Sequence, residues 1–162
     1  MISVAAGAIN GVGSIGIAHS ASVISSDVGN TVLPAGVNAN DAVQRLYMSS
    51  GMTNAKIVAF GWGLTGVYPD LNDLIDLGYY NRGFAFFSPA GSFSSSLGVV
   101  FPANKSEVFA ATARSSLSTP HPQAHTGPEV DGIAFAPIFV SGPRWFAFRR
   151  RSVSDAWRSC TY

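Results

Sequence analysis

Residues 56–87 read KIVAFGWGLTGVYPDLNDLIDLGYYNRGFAFF. The stretch opens on Lys56-Ile57-Val58-Ala59-Phe60, a short β-branched run closed by Gly61 and Gly63, and it finishes on a second apolar run, Phe84-Ala85-Phe86-Phe87. Runs of this length bounded by glycine read as buried strands. Between them Asp70 is placed to cap a helix whose apolar positions Leu71, Leu74, Ile75 and Leu77 fall at helical spacing, with Gly78 or Gly83 to end it. Continuous apolar strands joined by a helix of about ten residues indicate a parallel sheet with right-handed crossovers. The fold class predicted is therefore α/β, a partial parallel sheet with flanking helices.

Working outward, the same rhythm holds on the N-terminal side. Ala21-Ser22-Val23-Ile24-Ser25 reads as a further short buried strand, and Asn40 can cap a helix carrying Ala42, Val43, Leu46 and Tyr47 that ends near Gly51. On the C-terminal side a Ser/Gly-rich loop runs through Gly98. Val108-Phe109-Ala110-Ala111-Thr112 and Gly132-Ile133-Ala134-Phe135-Ala136 then read as two more strands, separated by a Pro/His loop. No fixed-period repeat interrupts this order.

Composition agrees with a buried sheet. The 162 residues are 47% hydrophobic and only 12% charged, against about 25% charged in an average soluble domain. A net charge of +1 gives no long-range field for nucleic acid or an anionic membrane, so neither is expected as a partner. The single Cys160 excludes an internal disulfide and leaves localisation unknown. The first twenty-five residues hold no Lys or Arg and are broken by Gly7, Gly11, Gly13 and Gly16. They fit neither a signal peptide nor a spanning helix, and the expectation is a cytoplasmic or truncated start. Residues 1–143 carry five Lys/Arg against eight Asp/Glu, whereas 144–162 carry five Arg against one Asp. The chain accordingly divides into a domain over 1–142 and a divergent basic, aromatic tail over 143–162.

Three motifs invite sharper readings. Gly11-Val12-Gly13-Ser14-Ile15-Gly16 is formally a dinucleotide fingerprint, but a Ser-rich, poorly helical segment follows it, and a plain Gly-rich connection is the better reading. His121 and His125, with Glu129 and Asp131 nearby, have metal-ligating side chains at short spacing. In a Pro-rich loop no helix fixes their geometry, so they are read as solvated. Arg149-Arg150-Arg151 with Trp145, Phe146, Phe148 and Trp157 is read as an unrelated tail rather than a binding patch.

Five segments in order carry a family resemblance over about residues 1–142. Asn10 to Ala18 (NGVGSIGIA) resembles the stretch that follows the catalytic His-Gly-Thr of the subtilisin-like serine proteases, although His19 stands where Pro is common. Ile57 to Leu64 (IVAFGWGL) resembles the family's "I-N-M-S-L-G" strand, with Gly61 and Trp62 at the usual Ser-Leu place. Phe86 to Ser92 (FFSPAGS) resembles "V-A-A-A-G-N". Val100 to Ala103 and Val108 to Ala113 are similar to "Y-P-A" and "V-I-A-V-G-A", and Gly127 to Asp131 with Ala136-Pro137 is similar to "G-P-E-V-D" and "A-P".

The resemblance implies a subtilisin-like fold and serine endopeptidase ancestry. It also implies that Phe60, Gly61, Trp62 and Gly63 are the substrate-binding strand, which would pair with an extended peptide or protein substrate. Ser92 stands at the oxyanion position in place of Asn. Catalysis in this family needs Asp, His and Ser in three motifs, and none of them occurs in the 162 residues. The three histidines do not fall where the family places its base, so no catalytic residue is assigned. The expectation is a truncated or degenerate peptidase domain, inactive alone. Alternatives are a peptide-binding or structural module, and a protease completed by another polypeptide. No cofactor is expected, calcium being suggested by the resemblance alone. A missing sheet strand would leave an apolar edge, so marginal stability or self-association is expected.

Overall fold

The computed structural model describes residues 5–11, 15–24, 55–66, 68–91, 98–115, 119–135, 138–139 and 150–151. Its centre is a four-stranded sheet of β1 (Ile57–Ala59), β2 (Ala85–Pro89), β3 (Val108–Arg114) and β4 (Gly132–Phe135), lying side by side in chain order. All three pairings are parallel, with Val58 beside Phe86, Phe86 beside Val108 and Ala111 beside Gly132. Helix α1 (Pro69–Asp76) connects β1 to β2. The fold is α/β as the apolar runs predict, with β2 displaced slightly toward its C-terminus and β3 extended to Arg114.

Local sequence accounts for the helix, with one correction. Tyr68 rather than Asp70 occupies the cap position, and its side chain makes no capping bond. Pro69 takes the first turn, where its missing N–H costs nothing and its fixed φ is already helical. Asp70 instead lies within that turn, where a carboxylate complements the helix dipole. The helix widens into a π-helix over Leu77–Asn81 and is stopped at Gly83, whose φ of 64° suits glycine.

Leu71 and Ile75 are fully buried. They pack with Val58, Phe60, Phe84, Phe86, Phe101 and Val108, and Trp62, Leu64, Tyr68 and Leu74 border this cluster. Core and face alternate through β1 and the first residues of β2 and β3 as the period of two requires: Val58, Phe86 and Val108 are buried, Ile57, Phe87 and Phe109 are exposed, and Pro89 and Ala113 toward the carboxyl ends break the pattern by being buried.

A polar clamp closes the other end of α1. The Lys105 ammonium sits 2.7 Å from Asp76 Oδ1, 3.8 Å from Glu107 Oε2 and within bonding distance of Asn72 Oδ1. The Tyr80 hydroxyl donates to Glu107 Oε1 at 2.8 Å. That bond, ahead of smaller contributions, lowers the Glu107 pKa below its ordinary value and raises that of Tyr80. Because the folded-state pKa of Glu107 is depressed, its stabilising contribution is present above the unfolded carboxylate pKa. It is lost as pH falls through the folded value. Tyr80→Phe is expected to move the Glu107 titration upward by NMR. Urea melts of the two proteins should differ at neutral pH and converge once the carboxylate is protonated in both.

One further sequence reading changes. Ala21–Ile24 is neither buried nor paired into the sheet; all four residues are exposed, and Ser25 lies outside the described residues. β-propensity expresses packing against neighbouring strands rather than a backbone preference, and no described strand flanks this run. Gly16 is buried because its backbone runs against residues 5–7: its N–H donates to the Gly7 carbonyl at 2.8 Å, and a Cβ would stand 2.2 Å from the Gly7 nitrogen. That contact gives Gly16 a packing role. The Asn40 helix and the boundary at 142/143 lie outside the described residues. Arg150–Arg151 (β6) pairs antiparallel with Ile138–Phe139 (β5), a two-residue ladder that joins the two sides of that boundary.

Candidate functional site

Ligands of open parallel sheets bind beyond the carboxyl ends of the strands, and four segments of this chain converge there. β1 is prolonged by one bond, from the Phe60 N–H to the Phe87 carbonyl at 2.8 Å. At Leu64 the chain is held again, by reciprocal bonds with Phe101 of 2.7 and 3.2 Å. Between these anchors, Gly61, Trp62 and Gly63 make no main-chain hydrogen bond to the described residues. Three successive peptide units are thus held at both ends with their donors and acceptors uncommitted.

The flanking wall is built from β2 and the segment before β3. The Ala90 N–H donates to the Ala111 carbonyl at 2.8 Å, and the Val100 N–H donates to the Ala90 carbonyl at 3.0 Å. Gly63 lies directly on Val100: a Cβ at Gly63 would stand 2.5 Å from Val100 Cγ2. Gly91 has φ 127° and sits against the His125 ring, so a Cβ there would fall 2.2 Å from Nδ1. His125 is locked in place by its N–H to the Gly91 carbonyl at 3.2 Å and by its carbonyl accepting from Thr112 Oγ1 at 2.6 Å.

His125 corrects the sequence reading, because it is buried at 2% exposure rather than solvated. Its partners Gly91 and Thr112 are 34 and 13 residues away, and no local pattern in a Pro/His loop announces such contacts. His121 is half-buried and accepts a weak bond from the Gln123 N–H at 3.3 Å. Asp131 is occupied in tying β4 to β3, its carboxylate accepting from the Ala110 N–H at 2.8 Å and its own N–H donating to the Ala110 carbonyl at 3.0 Å. Among the described residues no three of His, Cys, Asp and Glu come together.

The substrate-strand residues divide by role. The Phe60 ring is buried, stacked 5.9 Å from Phe86, so only the backbone of this residue faces the strand ends. Trp62 is half-buried, with its ring 5.0 Å from Phe60 and tilted by 59°. Gly63 lets the backbone lie directly on Val100, where a side chain would not fit. Tyr68 belongs to the core border, 5.9 Å from Phe101. Tyr79 and Tyr80 are exposed and meet edge-on. They follow α1 near Glu107, at the amino ends of the strands, away from the 60–64 segment. Ser92 lies outside the described residues, one position beyond Gly91.

No family model matches the sequence, and no curated protein matches it. Solved structures do. The PatG macrocyclase in complex with peptide aligns at TM-score 0.58 with 17% identity over 76% of this chain and 37% of that one. The prenylagaramide maturation protease PagA aligns at 0.56 with 20% identity over 70% of this chain and 43% of that one. The fold is subtilisin-like. The psychrophilic subtilisin-like protease Apa1 from Pseudoalteromonas sp. AS-11 aligns at 0.49 with 19% identity over 56% of this chain and 20% of that one. The chain spans less than half the length of each of these structures.

Proposed function

We propose that this chain is the substrate-strand part of a subtilisin-like serine endopeptidase domain, which holds an extended peptide but does not cut it alone. The observation that carries this reading is the uncommitted backbone of Gly61, Trp62 and Gly63, anchored by Phe60 and Leu64 at the carboxyl ends of a parallel sheet. An extended peptide laid along it adds a strand, with main-chain bonds giving affinity. Trp62 supplies a half-buried aromatic edge for a substrate side chain. The resemblance puts Ser92 at the oxyanion position in place of Asn, so that its hydroxyl would be the donor to a developing oxyanion. Hydrolysis would further need an activated nucleophile and a base, and the 162 residues contain none of the three motifs that supply them.

The test pairs binding with turnover. A fluorescein-labelled hexapeptide is expected to bind in an anisotropy titration, and a version N-methylated at alternate amides is expected to lose at least tenfold in affinity. Intact mass should show neither cleavage nor an adduct with a serine-directed phosphonate. Equal binding of both peptides would refute the added-strand geometry, and turnover would refute the non-cutting reading.

A second reading, a protease completed by another polypeptide, is favoured by the coverage, since the matched segment makes up only 43% and 37% of those two structures. It predicts activity only after a segment bearing the Asp, His and Ser motifs is added in trans.

A further inference from the structure

Connecting loops run over protein surfaces, so a fully buried loop side chain marks a specific packing contact. His125 lies in the loop between β3 and β4 yet is 2% exposed, and Ser88 is the one other buried polar side chain among the described residues. The His125 ring lies over Gly91, just past the carboxyl end of β2, in the space that a Cβ would take. Gly91 admits it with a φ of 127° and no side chain. Backbone bonds fix His125 from two sides, since its N–H donates to the Gly91 carbonyl at 3.2 Å and Thr112 Oγ1 donates to its carbonyl at 2.6 Å.

From Gly91 a short line of contacts leads to the Gly61–Gly63 edge. The carbonyl of Ala90, one residue earlier, accepts from the Val100 N–H at 3.0 Å. Val100 in turn presses on Gly63, its Cγ2 standing 2.5 Å from where a Cβ would lie. The loop also reaches this line directly: two residues beyond His125, a Cβ on Gly127 would stand 3.1 Å from Val99 Cγ2. Val99 and Val100 are therefore held between the 125–127 loop, Ala90 and Gly63. Close-packed contacts of this kind transmit a displacement rather than absorb it.

We infer that His125 is a positioning residue for the peptide edge: its ring sets the place of Gly91 and Ala90 and, through Val100, the place of the Gly63 backbone. The inference rests on the reading of Gly61–Gly63 as an edge that takes an added strand. His125 is enclosed, so it acts through these residues rather than on the peptide. Main-chain hydrogen bonds need donor–acceptor distances of about 2.7–3.2 Å and weaken steeply when misaligned. An edge displaced by a fraction of an ångström at Gly63 therefore loses affinity while the fold survives.

Nitrogen-15 amide spectra and peptide affinity, measured together on the full chain, test the inference. In His125→Ala, checked for folding by circular dichroism, the Gly63 and Val100 amide signals are expected to move, and affinity for the fluorescein-labelled hexapeptide should fall at least tenfold. Val100→Ala cuts the line at its last link, and in the double variant the two losses should not add. Val108→Ala, buried at the amino end of β3, lowers stability away from this line and should leave the Gly63 signal in place and affinity within twofold. His125→Gln, which also removes the ring, provides the same test if the alanine variant does not fold. Unmoved Gly63 and Val100 signals in a folded His125 variant would overturn the inference. So would an affinity within twofold of the unsubstituted chain, full additivity with Val100→Ala, or an equal loss in Val108→Ala. Signals that move in a chain that binds no peptide would uphold the positioning of this edge by His125 and refute the added-strand reading instead.

Discussion

Gly91→Ala is expected to destabilise the fold by about 2–6 kcal/mol, from two independent causes. The first is backbone strain: φ at this position is 127°, and forcing a residue with a Cβ into such a region costs about 1–3 kcal/mol. The second is steric. The new methyl would lie 2.2 Å from His125 Nδ1, and the ring is buried and bonded through its backbone to Gly91 and Thr112, so it has little room to retreat. Overpacking of this kind costs about 1–3 kcal/mol. Small domains hold only about 5–15 kcal/mol in total, so the urea midpoint should fall by about 0.7 M or more for a slope of about 1–3 kcal/mol/M. His125→Ala in the same background should recover the steric part and leave the strain. A double-mutant cycle therefore separates the two. Loss of less than 1 kcal/mol would mean that the β2 terminus and the 125 loop do not pack as described.

Phe86→Ala is the second large effect, at about 3–5 kcal/mol. Phe86 is 2% exposed at the centre of the sheet, stacked on Phe60 at 5.9 Å and edge-on to Phe84 at 6.1 Å. Removing it opens a cavity between β2 and α1 that neither neighbouring ring can fill, since each is held by its own strand end. Phe87→Ala, one residue on, removes a ring of the same size from the exposed face and should cost far less. Equal losses at the two positions in denaturant melts would contradict the assignment of buried and open faces.

The parallel α/β order was legible in the sequence because the signals that carry it are local. Four apolar runs, the Leu71, Leu74 and Ile75 spacing and Gly83 each act within one element, and each appears in the structure where the pattern puts it, within a few residues. Ala21–Ile24 has the same β-branched character yet is exposed, because a strand is made by its neighbours. The candidate site is divided in the same way. The segment from Phe60 to Gly63 was singled out by the family resemblance, and that Phe60 faces the core was not legible there, being a consequence of the register that sets Val58 beside Phe86.

The sequence by itself determined the class of fold, the order of its strands and the absence of the three catalytic motifs from these 162 residues, since each depends on residue type and near spacing. Tertiary structure alone decided that His125 is buried against Gly91, that Asp131 ties β4 to Ala110, and that one sheet face is apolar and open. These rest on contacts between residues 20 or more positions apart, or on which side of a strand faces the helix. Chain closure and strand register settle both, and neither leaves a periodic trace in the sequence.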